Sequence, residues 1–264
     1  MPENRWRNSD HRLLFIALVF LALFAVVFYR SRTGVAQTLK GSVTVVDAAH
    51  NGTDIGAHCS FNGITVTESF ATYDVAERVK GMVLERGGIF FSTLWNGGPI
   101  DDTSPSQFKK STPAKFTFDS TIATSDTVGI RKRIETGRKA KLRYPDLPIS
   151  MVTLHLGRLR QDRVGVRIIN GSGVDSLASA MKSAFGGDGY INEGTRSFQS
   201  LEYSPSEIRS LGVLNSSNPI KEKVALILGN SRNPLECRDM ADPKRRQAYA
   251  ELIVRGLEKM HNKK

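Results

Sequence analysis

The residues of this chain best placed by type and spacing to do chemistry are a few histidines and one glutamate. Of five histidines, His11 precedes a long apolar run and His261 lies in the basic C-terminal tail, which leaves His50, His58 and His155. His50 sits three residues beyond Ser42-Val43-Thr44-Val45-Val46-Asp47, a β-branched run that reads as a strand. His155 directly follows a second such run, Ile149-Ser150-Met151-Val152-Thr153-Leu154. Ligand sites of open parallel sheets gather at the carboxyl ends of strands, so both imidazoles are expected on one rim. Glu68 opens a helix and faces the same rim. Two imidazoles and a carboxylate make a sound catalytic zinc set, with ligand distances of about 2.0–2.2 Å and a fourth position left for water. A rim histidine hydrogen-bonded to a loop would show the same spacing, so the pattern alone names candidates.

The elements that must position these residues are legible in outline. Residues 68–86 read as an amphipathic helix, with Phe70, Val75, Val79, Met82 and Val83 on one side and Gly87-Gly88 as its stop. Ile89-Phe90-Phe91-Ser92-Thr93-Leu94 follows as a strand, so strand, helix and strand form a parallel crossover unit. Residues 96–128 are rich in Gly, Pro, Ser, Thr and Asp and read as a long loop or covering insertion. The spacing predicts a basic helix over 130–142, strands over 149–154 and 164–169, a helix over 176–185, a buried strand over 224–229, and a last helix opened by Pro243. The polar, glycine-bearing stretch 48–63 reads as a connection. This alternation indicates one α/β domain: a mostly parallel twisted sheet flanked by helices.

Residues 13–29 contain no charge and are apolar or aromatic throughout, at the short end of what spans a bilayer. Arg5, Arg7 and Arg12 precede the run, which keeps the N-terminus cytoplasmic. The reading is therefore a cytoplasmic N-terminus, a transmembrane anchor (13–29) and a linker over 1–39, followed by an exported domain over 40–264. That makes the chain a single-pass inner-membrane protein. A cleaved signal peptide ending near Gly34-Val35-Ala36 is the alternative, with Arg30 and Arg32 set awkwardly between. The formal net charge is +11, of which 1–39 carries five basic and two acidic side chains, so the exported part keeps +8. Such a domain suits anionic partners; no nucleic-acid-binding motif is present.

Two cysteines exclude a disulfide scaffold, a four-cysteine zinc site and most iron–sulfur ligation. Cys59 and Cys237 both fall near the expected rim, either as a disulfide or as two separate thiols. Asn170-Gly171-Ser172-Gly173 lacks a phosphate-loop lysine, and no nucleophile elbow of the Gly-x-Ser-x-Gly kind occurs. The basic segment from Arg131 to Arg143 reads as a solvated helix face that could also touch anionic glycan or lipid.

The stretch Val45-Val46-Asp47-Ala48-Ala49-His50-Asn51-Gly52-Thr53-Asp54-Ile55-Gly56-Ala57 resembles the opening motif of the zinc-dependent N-acetylmuramoyl-L-alanine amidases, with Ala49 and Asn51 where that family has glycine. Glu68 and Ala76 match its helix-opening glutamate and the alanine eight residues on. Thr153-Leu154-His155-Leu156-Gly157 occupies the place of its strand-end histidine motif. Gly165-Val166-Arg167-Ile168-Ile169, then Ser176-Leu177-Ala178, and the closing series Leu211 to Leu214, Pro219, Asn233-Pro234 and Asp242-Pro243 follow in the family's order, so the resemblance covers about residues 42–260.

The resemblance implies zinc held by His50, Glu68 and His155. It also implies hydrolysis of the amide between the lactyl group of N-acetylmuramic acid and L-alanine, with peptidoglycan as partner and room for a protein activator. It implies, further, a glutamate on the penultimate strand as general base. Here Ile227 stands in that place. Glu222 lies at the wrong end of the strand, and Glu236, nine residues beyond Ile227, is the substitute base the sequence offers. General acid–base help is typically worth 10²–10⁴-fold. The alternative function is therefore an inactive amidase-like pseudoenzyme that binds peptidoglycan or a partner protein.

Overall fold

The structure is a computed structural model that describes residues 18–21, 36–50, 54–96, 114–124, 126–158, 165–170, 176–186 and 211–262. It divides into two compact units, Met1–Ala36 and Gln37–Lys264. In the first, residues 18–21 are helical and exposed, and the rest of the expected 13–29 anchor lies outside the described residues, as does Gly34-Val35. Among the described residues, no helix is long and apolar enough to cross a membrane.

The second unit runs β1 (Val43–Ala48), β2 (His58–Phe61), β3 (Ile64–Thr67), α1 (Glu68–Glu85), β4 (Ile89–Ser92), β5 (Leu94–Trp95), β6 (Lys115–Phe116), α2 (Thr127–Arg143), β7 (Ile149–Gly157), β8 (Arg167–Asn170), α3 (Ser176–Gly186), a 3₁₀ turn (Gly212–Leu214), β9 (Glu222–Asn230), α4 (Pro234–Ala241) and α5 (Pro243–His261). The main sheet has the order β4-β1-β7-β9-β8. The first four strands pair in parallel and β8 closes the sheet antiparallel to β9. The expected α/β sheet, mostly parallel, is thus present.

Alternation along the strands sorts the side chains onto two faces. Val46, Val152, Leu154, Val224 and Leu226 join one core with Phe70, Val79 and Val83 of α1, Leu177 and Met181 of α3, and Ile253 and Leu257 of α5. Val43, Val45 and Met151 point the other way, against Ile134 and Ala140 of α2. The sheet is therefore covered on both faces, as a parallel sheet of near-continuous apolar strands requires. Helix α1 starts and stops where its sequence says. Thr67 caps it by accepting from the Phe70 N–H at 3.2 Å. Gly87, at φ +74°, ends it with its N–H on the Leu84 carbonyl at 3.0 Å and that of Gly88 on Val83 at 2.9 Å.

Several expectations are corrected. The stretch 48–63 is not only a connection: β2 and β3 form an antiparallel hairpin with His58 opposite Thr67. The strand expected over 89–94 breaks at Thr93 into β4 and β5, because β5 leaves the main sheet to pair with β6 inside the expected loop. Helix α2 begins three residues before 130, where the Asp126 side chain caps the Gly129 N–H at 2.8 Å. Helix α4 was not expected as an element; Asn233 caps it and Pro234 opens it. Cys59 of β2 and Cys237 of α4 are disulfide-bonded, with Cα atoms 6.0 Å apart across 178 residues of sequence, so neither is a free thiol.

Candidate metal centre

His50, Glu68 and His155 converge. Each offers one ligand atom, and the three atoms lie within 4.8 Å of one another; among the described residues this is the one such group. His50 follows the end of β1, Glu68 is the first residue of α1, and His155 lies near the end of β7. The carboxylate of Glu68 sits between the two rings, with Oε2 3.3 Å from His50 Nε2 and Oε1 3.3 Å from His155 Nδ1.

The backbone explains why the carboxylate stands there. Glu68 is 3% exposed. Its Oε2 accepts from the Ala57 N–H at 2.9 Å and its Oε1 from the Leu156 N–H at 3.0 Å. Ladder pairing of β1 with β7 ends with the Ala49 N–H on the Leu154 carbonyl, and the next N–H of β7 goes to Glu68 instead. Gly56, at φ +65°, must be glycine for a second reason: a Cβ there would come within 2.7 Å of both Glu68 Oε2 and the His50 ring. His50 itself has φ +61°. That left-handed backbone costs an L-residue roughly 1–2 kcal/mol, a cost the surrounding contacts must offset.

The hydrogen bonds also fix the tautomers. His50 Nδ1 lies 2.9 Å from Asp54 Oδ2. An ionised carboxylate only accepts, so Nδ1 carries the proton and Nε2 presents its lone pair. The Thr153 hydroxyl donates to Asp47 Oδ2 at 2.7 Å, so it accepts from His155 Nε2 at 3.4 Å, and His155 Nδ1 is the bare nitrogen. Each bare nitrogen thus faces a carboxylate oxygen, a meeting of acceptors that a cation between them relieves. Burial alone would push the Glu68 carboxyl up. The contact with His155, positive charge at His155 and His50, and the Ala57 N–H outweigh it and hold the carboxyl below its usual range. The rings supply that charge only by taking a second proton each; one divalent cation supplies it with the tautomers unchanged. The donor set fits zinc, which takes imidazole nitrogen and carboxylate oxygen in three-ligand catalytic sites.

A cavity of about 120 Å³ opens beside the two histidines, lined further by Ile130, Leu211 and Val213. Ile227 lies on β9 directly opposite His155 in the ladder. It is 8% exposed and packs with Ile169, Ala225 and Leu214. His58, the third histidine left by the sequence, is exposed on β2 and outside the group. Glu236 is outside it too. It is 2% exposed, and its two oxygens accept from the Gly165 N–H and, at 2.6 Å, from the Asn230 N–H. This carboxylate ties the end of β9 to the segment that leads into β8. Glu236→Ala is therefore expected to lower unfolding stability by roughly 2–4 kcal/mol, since each stranded buried donor costs about 1–3 kcal/mol, while zinc affinity stays within about twofold. Denaturant melts and chelator competition check both halves.

The sequence reading missed Asp54 as the partner of His50 and Arg133, which also lines the cavity. Asp54 stands four residues from His50 in the motif already noted, and that spacing was the available signal.

No protein-family model matches the chain, and no curated protein matches its sequence. Its fold is shared. Similar solved structures include the CwlD amidase of Clostridioides difficile in complex with the GerS lipoprotein, at 14% identity over 84% of this chain and 100% of that one, with a TM-score of 0.57. The catalytic domain of CwlV, an N-acetylmuramoyl-L-alanine amidase of Bacillus (Paenibacillus) polymyxa var. colistinus, is similar at 15% identity over 82% and 96%, TM-score 0.56. AmiC2, an N-acetylmuramoyl-L-alanine amidase of Nostoc punctiforme, is similar at 14% identity over 82% and 95%, TM-score 0.54. The chain has the fold of the N-acetylmuramoyl-L-alanine amidases.

Proposed function

We propose that the chain is a zinc-dependent peptidoglycan amidase that cleaves the bond between N-acetylmuramic acid and L-alanine. The observation that carries the reading is the convergence of His50, Glu68 and His155, with both bare nitrogens on one carboxylate, at the strand-end rim of an amidase fold. Bound there, zinc would supply a Lewis acid for the amide carbonyl and acidify water. The chain's own residues do the rest. Asp54 and Thr153 hold the ring protons away from the ion's place, and Glu68 offers it a negative charge. Ile130, Leu211 and Val213 give part of the cavity an apolar lining, beside Asp47 and Arg133. Ile227 places no acceptor beside His155, so proton transfer to the leaving amine proceeds without a carboxylate at that position and is slowed accordingly.

The export reading draws support from two features. The disulfide between Cys59 and Cys237 belongs to oxidising compartments, and the apolar run over 13–29 suits a membrane anchor. A partner protein is in keeping with the lipoprotein bound to CwlD. Ile227 also favours a second reading, in which the domain binds wall peptide without cutting it. Incubation of the zinc-loaded protein with purified peptidoglycan separates the two. The amidase reading expects free amino groups to be released, and a chelator to stop the release. Binding without release supports the second reading.

A further inference from the structure

We propose that Arg133 and Asp47, a buried ion pair outside the ligand set, are positioning residues that aim both histidines at the metal. The inference rests on the metal site proposed above and extends it to residues that supply no ligand atom.

Arg133 comes from α2, which covers the face of the sheet opposite α1, and it is 3% exposed. Its Nη1 donates to Asp47 Oδ1 at 2.5 Å and to the Ala48 carbonyl at 2.6 Å, and its Nη2 donates to the His50 carbonyl at 2.9 Å. One guanidinium thus holds the carbonyls that bracket the turn out of β1. It closes that turn on the residue with φ +61°. A planar fork of donors suits this task; an ammonium at the same place is a point charge with no fixed fork.

Asp47 is 1% exposed and carries the second arm. Its Oδ1 also accepts from the Thr93 hydroxyl at 2.6 Å, and its Oδ2 accepts from the Thr153 hydroxyl at 2.7 Å. That last bond consumes the Thr153 proton, so the Thr153 oxygen faces His155 Nε2 at 3.4 Å as an acceptor. Arg133 therefore reaches His50 through the backbone and His155 through Asp47 and Thr153. A buried ion pair is by itself weak support for stability, and this one is spent on both ligand-bearing segments at once. Residues that orient a metal ligand typically carry 10–100-fold of metal affinity.

The test uses the full-length chain in detergent, with zinc affinity read by competition with a chromophoric chelator. Substitution of cobalt(II) gives a visible spectrum that reports ligand geometry. Arg133→Met and Asp47→Asn are expected to weaken zinc binding about 10–100-fold and to change the cobalt spectrum, with Arg133→Lys in between. Thr153→Val, which leaves the ion pair whole, cuts only the His155 arm. It is expected to change the cobalt spectrum and weaken binding by about 10-fold, and it keeps the test open if either ion-pair variant fails to fold. A purely structural ion pair would lower the melting temperature of the metal-free variants and leave affinity within about twofold and the spectrum unchanged. That result overturns the inference. A wild-type chain that binds no zinc overturns the metal site itself, and the positioning role with it.

Discussion

Glu68→Ala is expected to abolish stoichiometric zinc binding, with an affinity loss greater than the roughly 100-fold upper end for a supporting residue. The size follows from how much this carboxylate does. It faces both bare imidazole nitrogens at 3.3 Å and accepts the backbone N–H groups of Ala57 and Leu156. Its removal leaves two histidines without the shared anion and two backbone donors without an acceptor. His50→Ala and His155→Ala remove one arm each and are expected to follow in the same direction. Metal content after dialysis, measured per chain, checks the order. Retention of one tightly held zinc in Glu68→Ala would show that the ion sits elsewhere.

Ile227→Glu is expected to raise the rate of peptidoglycan amide hydrolysis by about 10²-fold or more, within the range that general acid–base catalysis supplies. The position is set by the ladder. Residue 227 lies opposite His155, and its side chain packs with Ile169, Ala225 and Leu214 beside the site. A carboxylate there would stand opposite His155 of β7 on one side and the buried Arg167 of β8 on the other, and a neighbouring guanidinium favours the ionised form that can accept a proton. The rate should then be carried by an ionisation absent from wild type, seen as a new acid limb in the pH profile. Hydrolysis by Ile227→Glu no faster than wild type, with zinc still bound, would remove Ile227 from the explanation of the slow step.

The ligand set was readable because each member sits at an element boundary that local sequence marks. β-Branched runs end shortly before His50 and His155, and Thr67-Glu68 opens a helix whose apolar spacing and Gly87-Gly88 stop are plain. What stayed hidden depends on distant packing or short elements. The β2–β3 hairpin consists of two four-residue strands that carry polar His58 and Ser60, too short for periodicity to register. Helix α4 has eight residues and is buried through Glu236 and Asp239 as well as Cys237 and Met240, so no apolar stripe announces it. The disulfide joins residues whose proximity no local pattern encodes. Arg133 is one of seven basic residues between 131 and 143, and composition does not distinguish the one that is buried. Glu236 was readable as a carboxylate of the right neighbourhood, but its engagement with Gly165 and Asn230 belongs to segments that meet only in the fold.

The most direct measurement of the central claim is a mass spectrum of purified peptidoglycan before and after exposure to the zinc-loaded chain. Stem peptides are expected to be released intact with a free amino group on L-alanine, and glycan strands to be left with free lactyl carboxylates, in amounts that fall to background when the zinc is removed. Unchanged peptidoglycan in the presence of a chain carrying one zinc, or cleavage at any other bond, would contradict it.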